Sequence, residues 1–179
     1  MDRAQLEHLI RASCGNADVT EIVIIGSQAI LGAFPNAPAD LLVSMEADVF
    51  PLARPEDAIL IDGAIGEKSV FHETFGYYAH GVSPETAVLP SGWQDRLVPV
   101  CNANTRGLTG WCLEPADLAV SKLVAGREKD VAWLRVLFRL RLVAVSLVRA
   151  RLTVTLIAGE AQRQIVAARL ERLSVEQAV

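Results

Sequence analysis

Hydrophobic and polar positions recur with two different periods along this chain, and the change of period divides it. Leu6, Leu9 and Ile10 stand at helical spacing within residues 3–13, which predicts a short amphipathic helix ended by Gly15 and Asn16. Glu21–Ile25 is a β-branched run of strand length that stops at Gly26. Ser27–Gly32 reads as a helix with Ser27 as its N-cap. Pro35, Asn36 and Pro38 mark a loop, and Leu41–Val49 reads as a second strand closed by Pro51. Pro55 sits in the first turn of a helix expected over 55–65, and short strands are expected near 75–79, 96–101 and 108–113. From about Ala116 the pattern is helical. It breaks at Gly126, resumes from Glu128 to about Leu142 with Val131, Leu134, Leu137 and Leu140 at spacing three, and ends in a helix over 160–173. Residues 145–157 are apolar and fit either helix or strand. Strands lead and helices follow, so the expected class is α+β, with helices packed on one sheet.

Length and composition narrow the class further. At 179 residues the chain has the size of one domain, and 51% hydrophobic residues suffice for a core without disulfides or a structural metal. The longest uncharged stretch, Ile22–Ala39, is interrupted by two prolines, so no spanning helix is expected. Met1–Ile10 lacks the basic and apolar regions of a secretory signal. Cys14, Cys101 and Cys112 have no CxxC spacing, which points to a reducing compartment and a cytoplasmic protein. The net charge of −4 disfavours non-specific nucleic-acid binding, yet it is an average. Residues 1–121 carry a net −10 and residues 122–179 a net +6. That asymmetry suits either an anionic partner for the basic segment or the solvated faces of its helices.

The chemistry concentrates in two places. Gly26-Ser27 lies at a strand-to-helix turn, where glycine lets a phosphate approach the backbone and the helix start offers N–H groups and the positive end of its dipole. Glu46 and Asp48 lie on the next strand, two residues apart and so on one face, with Cα atoms about 6–7 Å apart. Met45, Ala47 and Val49 are expected on the opposite, buried face. Paired carboxylates supply the hard oxygen ligands of Mg²⁺, so a triphosphate on the turn and a metal on the strand would form a nucleotide-transfer site. Each motif alone is also common turn or edge-strand chemistry.

Two hydrophobics, Gly-Ser and then an acid-x-acid strand together resemble the signature of the nucleotidyltransferase superfamily with the DNA polymerase beta-like fold. Leu113–Asp130, with Lys122, Arg127 and Asp130, resembles the lysine–arginine–aspartate segment of the abortive-infection type IV toxin nucleotidyltransferases, a group that includes toxins adding nucleotides to tRNA ends. Pro90–Leu97 is similar to a connecting segment of their uncharacterised bacterial relatives. The resemblance covers roughly residues 20–130, leaving a helical C-terminal part of about 131–179 in a single domain. It implies a central mixed sheet, Gly26 and Ser27 on the nucleotide phosphates, and Mg²⁺ or Mn²⁺ on Glu46 and Asp48. Lys122 would contact the triphosphate, and Arg127 and Asp130 would complete the pocket. The implied substrate is a nucleoside triphosphate and the implied acceptor an RNA, a tRNA 3′ end first, with a protein hydroxyl or small molecule as alternatives. A cognate antitoxin is implied by the resemblance only. The chain departs from the pattern in having Glu46 where Asp is usual, and in the length of the Ser27–Glu46 spacing. A third carboxylate is not obvious: Glu114 and Asp130 are candidates, and Asp62 is a poorer one.

Bland readings stand beside these. Lys122 also fits an amphipathic surface lysine, and Arg127 with Asp130 an i,i+3 surface pair. In an unbroken helix Lys122 and Lys129 would share a face. Gly63–Ser69 is a poor phosphate loop because Glu67 precedes Lys68, and His72 and His80 lack the further ligands a zinc site needs. The cysteines have no partners that would mark a thiol nucleophile. Two other function classes remain open: a catalytically weak nucleotide-binding module of the same fold, and an oligomeric domain using Val143–Ile157 as an interface. A mean hydropathy of +0.31 favours some self-association or a protein partner.

Overall fold

The β-branched run at Glu21 forms β1 (Glu21–Ile24), the centre of a five-stranded mixed sheet. The computed structural model describes residues 1–177. Beside β1 lie β2 (Glu46–Pro51), antiparallel with Ile24 opposite Val49, and β5 (Thr109–Cys112), parallel with Ile24 opposite Cys112. The edges are β3 (Tyr78–Gly81), parallel to β2, and β4 (Val98–Val100), antiparallel to β5. The order is therefore β3-β2-β1-β5-β4. The expected α+β class and central mixed sheet are both present.

One face of the sheet carries Ile22, Ile24, Val49 and Cys112, all fully buried or nearly so. Against it pack α1 (Arg3–Ala17), α2 (Ile30–Ala33) and α3 (Ala58–Ile65). The approach is close enough that Gly32 and Gly110 have no room for a side chain: a Cβ would stand 2.5 Å from Cys112 and 2.5 Å from Ile10, respectively. Burying such apolar faces is what holds strand and helix together. Asp2 caps α1 by accepting from the Gln5 N–H, and the Gln5 side chain accepts from Asp2 in return. The helix runs through Gly15 and Asn16 instead of ending there, because Cys14 and Ala17 bury its last turn, and Asp18 stops it at φ +49°. Glu7, buried on α1, accepts from Asn102, Asn104 and Arg3, and so ties down the loop between β4 and β5.

Other boundaries also shift from expectation. Leu41 closes a 3-10 turn over 39–41, and β2 begins five residues later. Pro51 is its last paired residue, a strand-end position that needs no N–H. Met45 lies before the strand and is half exposed, while Ala47 and Val49 are buried as the alternation requires. The region near 75 is partly helical, α4 (Val70–Phe75), with Ser69 capping the His72 N–H.

The chain packs as two compact units, residues 1–86 with 96–114, and residues 87–95 with the chain from Pro115 onward. The first holds the sheet and α1–α4. The second is helical: α5 (Pro115–Ala125), α6 (Glu128–Arg139), α7 (Val145–Thr153) and α8 (Glu160–Gln177). The ambiguous stretch over 145–157 is thus helical through Thr153, and Pro90 of the 87–95 segment bridges Thr155. Val143, Val148 and Ile157 are buried within the chain, whereas Leu156 is 91% exposed. Leu140 falls beyond α6 and is exposed, so the spacing-three row ends at Leu137.

Candidate active site

Antiparallel pairing places Glu46 and Asp48 at the same end of the sheet as the turn that follows β1. The Ile25 N–H donates to the Asp48 carbonyl at 3.0 Å, so Ile25 and Asp48 lie opposite one another and share a face. The next residue, Gly26, has extended backbone with φ −81° and ψ −169°, and a Cβ there would stand 2.1 Å from Asp48 Oδ2 and 2.9 Å from its Cγ. Glycine is required at this turn for space, since a side chain would expel the carboxylate from its place over the backbone. Gly26-Ser27 and Asp48 are therefore one constellation.

The helix after the turn differs from expectation. Gly26, not Ser27, is the N-cap: its carbonyl accepts from the Ala29 N–H, and no side chain caps the turn. Ser27 opens a 3-10 turn over 27–29 that continues into the single α-turn of α2. So short an element has a small macrodipole, and affinity for an anion would come from local N–H and hydroxyl donors. Gln28, fully buried, donates to the Ser44 carbonyl at 2.7 Å, and the Ser44 hydroxyl accepts from the Glu46 N–H at 3.2 Å. The turn after β1 is thereby braced to the start of β2. The Gln28 Oε1 has no hydrogen-bond partner.

The parallel neighbour β3 adds two side chains. Its register sets Tyr78 opposite Glu46 and His80 opposite Asp48. The Tyr78 hydroxyl donates to Glu46 Oε2 at 3.0 Å, and His80 Nδ1 lies 3.2 Å from Asp48 Oδ1. A carboxylate accepts only, so Nδ1 carries the proton of that contact. Burial, then the hydrogen bond to Glu46 and the negative charge of Glu46, Glu67 and Asp48, push the Tyr78 phenol up to about 12. His72 packs its ring on Tyr78 at a centroid distance of 4.6 Å. Tyr78 and His80 are site members that spacing alone did not reveal, because 32 residues separate them from Glu46 and Asp48.

In the second unit Lys122 and Asp130 are interior, so neither surface reading holds. Gly126, at φ +62°, ends α5 and its N–H returns to the Lys122 carbonyl at 2.9 Å. The helix is not continuous, and the bend carries Asp130 back to Lys122 at 3.1 Å. Arg127 closes on the other carboxylate oxygen at 2.6 Å. Asp130 is fully buried, and Lys122 is 7% exposed with its ammonium 4.9 Å from the Trp133 ring centroid. Burial opposes the Asp130 charge, but hydrogen bonds from Arg127 and the positive charge of Lys122 outweigh it and hold this carboxyl below its usual range. Both Asp130 oxygens accept from these cations.

Of the other acids, Asp62 on α3 accepts from the Gly81 N–H at 3.2 Å, one residue past His80 and so on the opposite face. Glu114 lies two residues beyond the end of β5, outside the strand pairing, and is half-buried. Among the described residues no group of three or more His, Cys, Asp or Glu side chains is arranged to hold a metal ion. The hard oxygens of Glu46 and Asp48, with Asp48 filling the space a Gly26 side chain would take, are the set that suits a hydrated divalent cation. The thiols are apart from this chemistry: Cys14 and Cys112 are buried, and Cys101 is exposed. Among the described residues no helix is long and apolar enough to cross a membrane.

Comparison with known proteins found no match among curated proteins and none among solved structures. A family model does match, over residues 4–173 and so across both units. The chain belongs to that family, DUF6036, described as a nucleotidyltransferase of unknown function.

Proposed function

We propose that the chain transfers a nucleotide from a nucleoside triphosphate to an acceptor hydroxyl, with RNA as the acceptor and Mg²⁺ or Mn²⁺ as the cation. The observation that carries this reading is the seating of Asp48 Oδ2 against Gly26, which joins the turn after β1 to the carboxylate pair. Gly26 and Ser27 would receive the phosphates through backbone N–H groups and the Ser27 hydroxyl. Glu46 and Asp48 would hold the cation, which when bound neutralises charge on the phosphoryl oxygens. The acceptor oxygen bonds to the α-phosphorus as the bond to the bridging oxygen breaks. Pyrophosphate leaves and the hydroxyl proton passes to solvent. The net charge of +6 on residues 122–179 supports an RNA partner, although Arg135, Arg149 and Arg163 also pair with Glu176, Glu171 and Glu160. The role of a toxin held by a cognate antitoxin, in the cytoplasm, follows the resemblance of the lysine segment.

The test is transfer of label from α-labelled nucleotides onto an RNA pool. Wild type should label RNA, and Asp48→Asn should reduce labelling at least a hundredfold with its melting temperature held. Labelling equal in both would end the proposal.

A second reading, a nucleotide-binding module with weak or no turnover, is favoured by the two-membered carboxylate set. On the Asp48 face β3 presents Tyr78 and His80, β5 presents Thr109 and Trp111, and the acid of β1, Glu21, stands at the end of that strand away from Gly26. Nucleotide-dependent thermal stabilisation without labelling would support it.

A further inference from the structure

The carboxylate of Asp48 is held from two sides, and the sides differ in chemistry. Oδ2 lies against Gly26 at the end of β1, and Oδ1 lies against His80 on the edge strand β3. The site therefore runs in one direction across the sheet: phosphate turn on β1, carboxylates on β2, imidazole and phenol on β3. In-line displacement needs the attacking oxygen and the departing pyrophosphate on opposite sides of the α-phosphorus. With the triphosphate on the β1 side, the acceptor must come from the β3 side. There the side chains are aromatic. His80 is half exposed, yet its ring is fixed at Nδ1 by Asp48, and Tyr78 beside it is fixed by its hydroxyl on Glu46 and by the His72 ring. An exposed planar ring that is already ordered loses little entropy when a base stacks on it.

We propose that His80, supported by Tyr78, forms the acceptor subsite and stacks on the 3′-terminal base of a single-stranded RNA. The proposal rests on the nucleotidyltransferase reading for its direction, but stacking can be measured without turnover. In this arrangement Asp48 positions the imidazole through Oδ1 while Oδ2 faces the phosphate turn, so one carboxylate orients both substrates. His80 gives sequence-tolerant binding, as every base has a stacking face. It needs an unpaired 3′ end, since a base within a duplex cannot reach an edge strand.

The experiment uses the full chain and a fluorescent single-stranded RNA hexamer, read by anisotropy in Mg²⁺, with ATP affinity measured separately by calorimetry. His80→Ala should weaken hexamer binding about tenfold, the effect of losing one stacked base, and weaken ATP binding by a smaller factor. His80→Phe should restore hexamer binding to within threefold, which a purely ionic or structural role for the imidazole would not allow. A blunt duplex of the same sequence should bind more weakly and ignore the substitution. Melting temperatures of both variants within 2 °C of wild type establish that they fold; if His80→Ala does not fold, His80→Gln, which has no ring but can still donate to Asp48, should weaken hexamer binding about tenfold, and unchanged binding overturns the proposal. Equal hexamer affinity in wild type and His80→Ala overturns the proposal, as does a His80→Phe that binds no better than His80→Ala. A His80→Ala loss confined to ATP would place the imidazole on the triphosphate side and also overturn it. If the hexamer depends on His80 while no label is transferred, the subsite stands and the transferase reading fails.

Discussion

Gly26→Ala separates the chemistry of the proposed site from the stability of the fold. The backbone at Gly26, φ −81° and ψ −169°, is open to any residue, so the added methyl acts by contact alone. That methyl would lie 2.1 Å from Asp48 Oδ2, 2.9 Å from Cγ and 3.2 Å from Cβ. Relieving such an overlap by side-chain and backbone shifts typically costs about 1–3 kcal/mol. The carboxylate end is partly exposed, with 27% of the side chain accessible, so rotation toward solvent should relieve most of this. The expected loss is then about 1 kcal/mol, or roughly 0.5 M in the urea midpoint for a slope near 2 kcal/mol/M. Function should suffer more, because Asp48 leaves both the turn and His80. Nucleotide affinity in Mg²⁺, read by calorimetry, should fall at least tenfold. A double-mutant cycle isolates the contact: in an Asp48→Ala background the stability cost of Gly26→Ala should fall by more than half, the 3.2 Å approach to the retained Cβ accounting for the rest. An unchanged cost in that background, or unchanged nucleotide affinity in the single variant, would refute the steric account of this turn.

Asp130→Asn should cost about 3–5 kcal/mol in urea denaturation, since it leaves the Lys122 ammonium buried without its counter-charge. The folded-state pKa of Asp130 lies below its unfolded value, so its stabilisation is complete above about pH 4 and is lost as pH falls through the folded value. The stability gap between wild type and Asp130→Asn should accordingly narrow below pH 4, and a gap constant from pH 7 to 2 would contradict the pairing. Absorbance titration at 295 nm should show Tyr78 ionising at about 12, and Glu46→Gln should bring it partway down by removing charge while leaving the burial. A titration unmoved by Glu46→Gln would mean that the Tyr78–Glu46 contact is absent. Of the three thiols only Cys101 should react quickly with a thiol reagent at pH 8, because burial raises Cys14 to about 11 and Cys112 to about 12. More than one fast equivalent would show the core to be looser than described.

What could be read from the chain was what is local. The run at Glu21 had to be a strand, the period-2 spacing of Glu46 and Asp48 had to put them on one face, and a glycine ending a strand had to mark a close approach. The object approached, Asp48, lies 22 residues further on, and only the antiparallel register reveals it. Tyr78 and His80 were hidden for the same reason: parallel pairing brings edge-strand residues to β2 through a connection that carries α3 and α4. Their alternation, Tyr78-x-His80, repeats that of Glu46-x-Asp48, and this is the one signal that could have linked them. At Lys122 the bend at Gly126 was visible but its direction was not, so the pairing of Lys122 with Asp130 could not be read from the spacing. The helix after Ser27 was over-read because Ala29, Ile30 and Leu31 stand in a row there, whereas the chain makes only a 3-10 turn and one α-turn before Pro35.

The central claim is that Gly26-Ser27 and the Glu46–Asp48 pair together hold a nucleoside triphosphate and its cation. Crystals soaked in a non-hydrolysable triphosphate with Mn²⁺ test it most directly, since the anomalous signal locates the metal. The account predicts the metal peak on Glu46 and Asp48, with phosphate density on the backbone of Gly26 and Ser27. A metal peak or triphosphate density elsewhere on the chain, with these residues bare at saturating ligand, would contradict it.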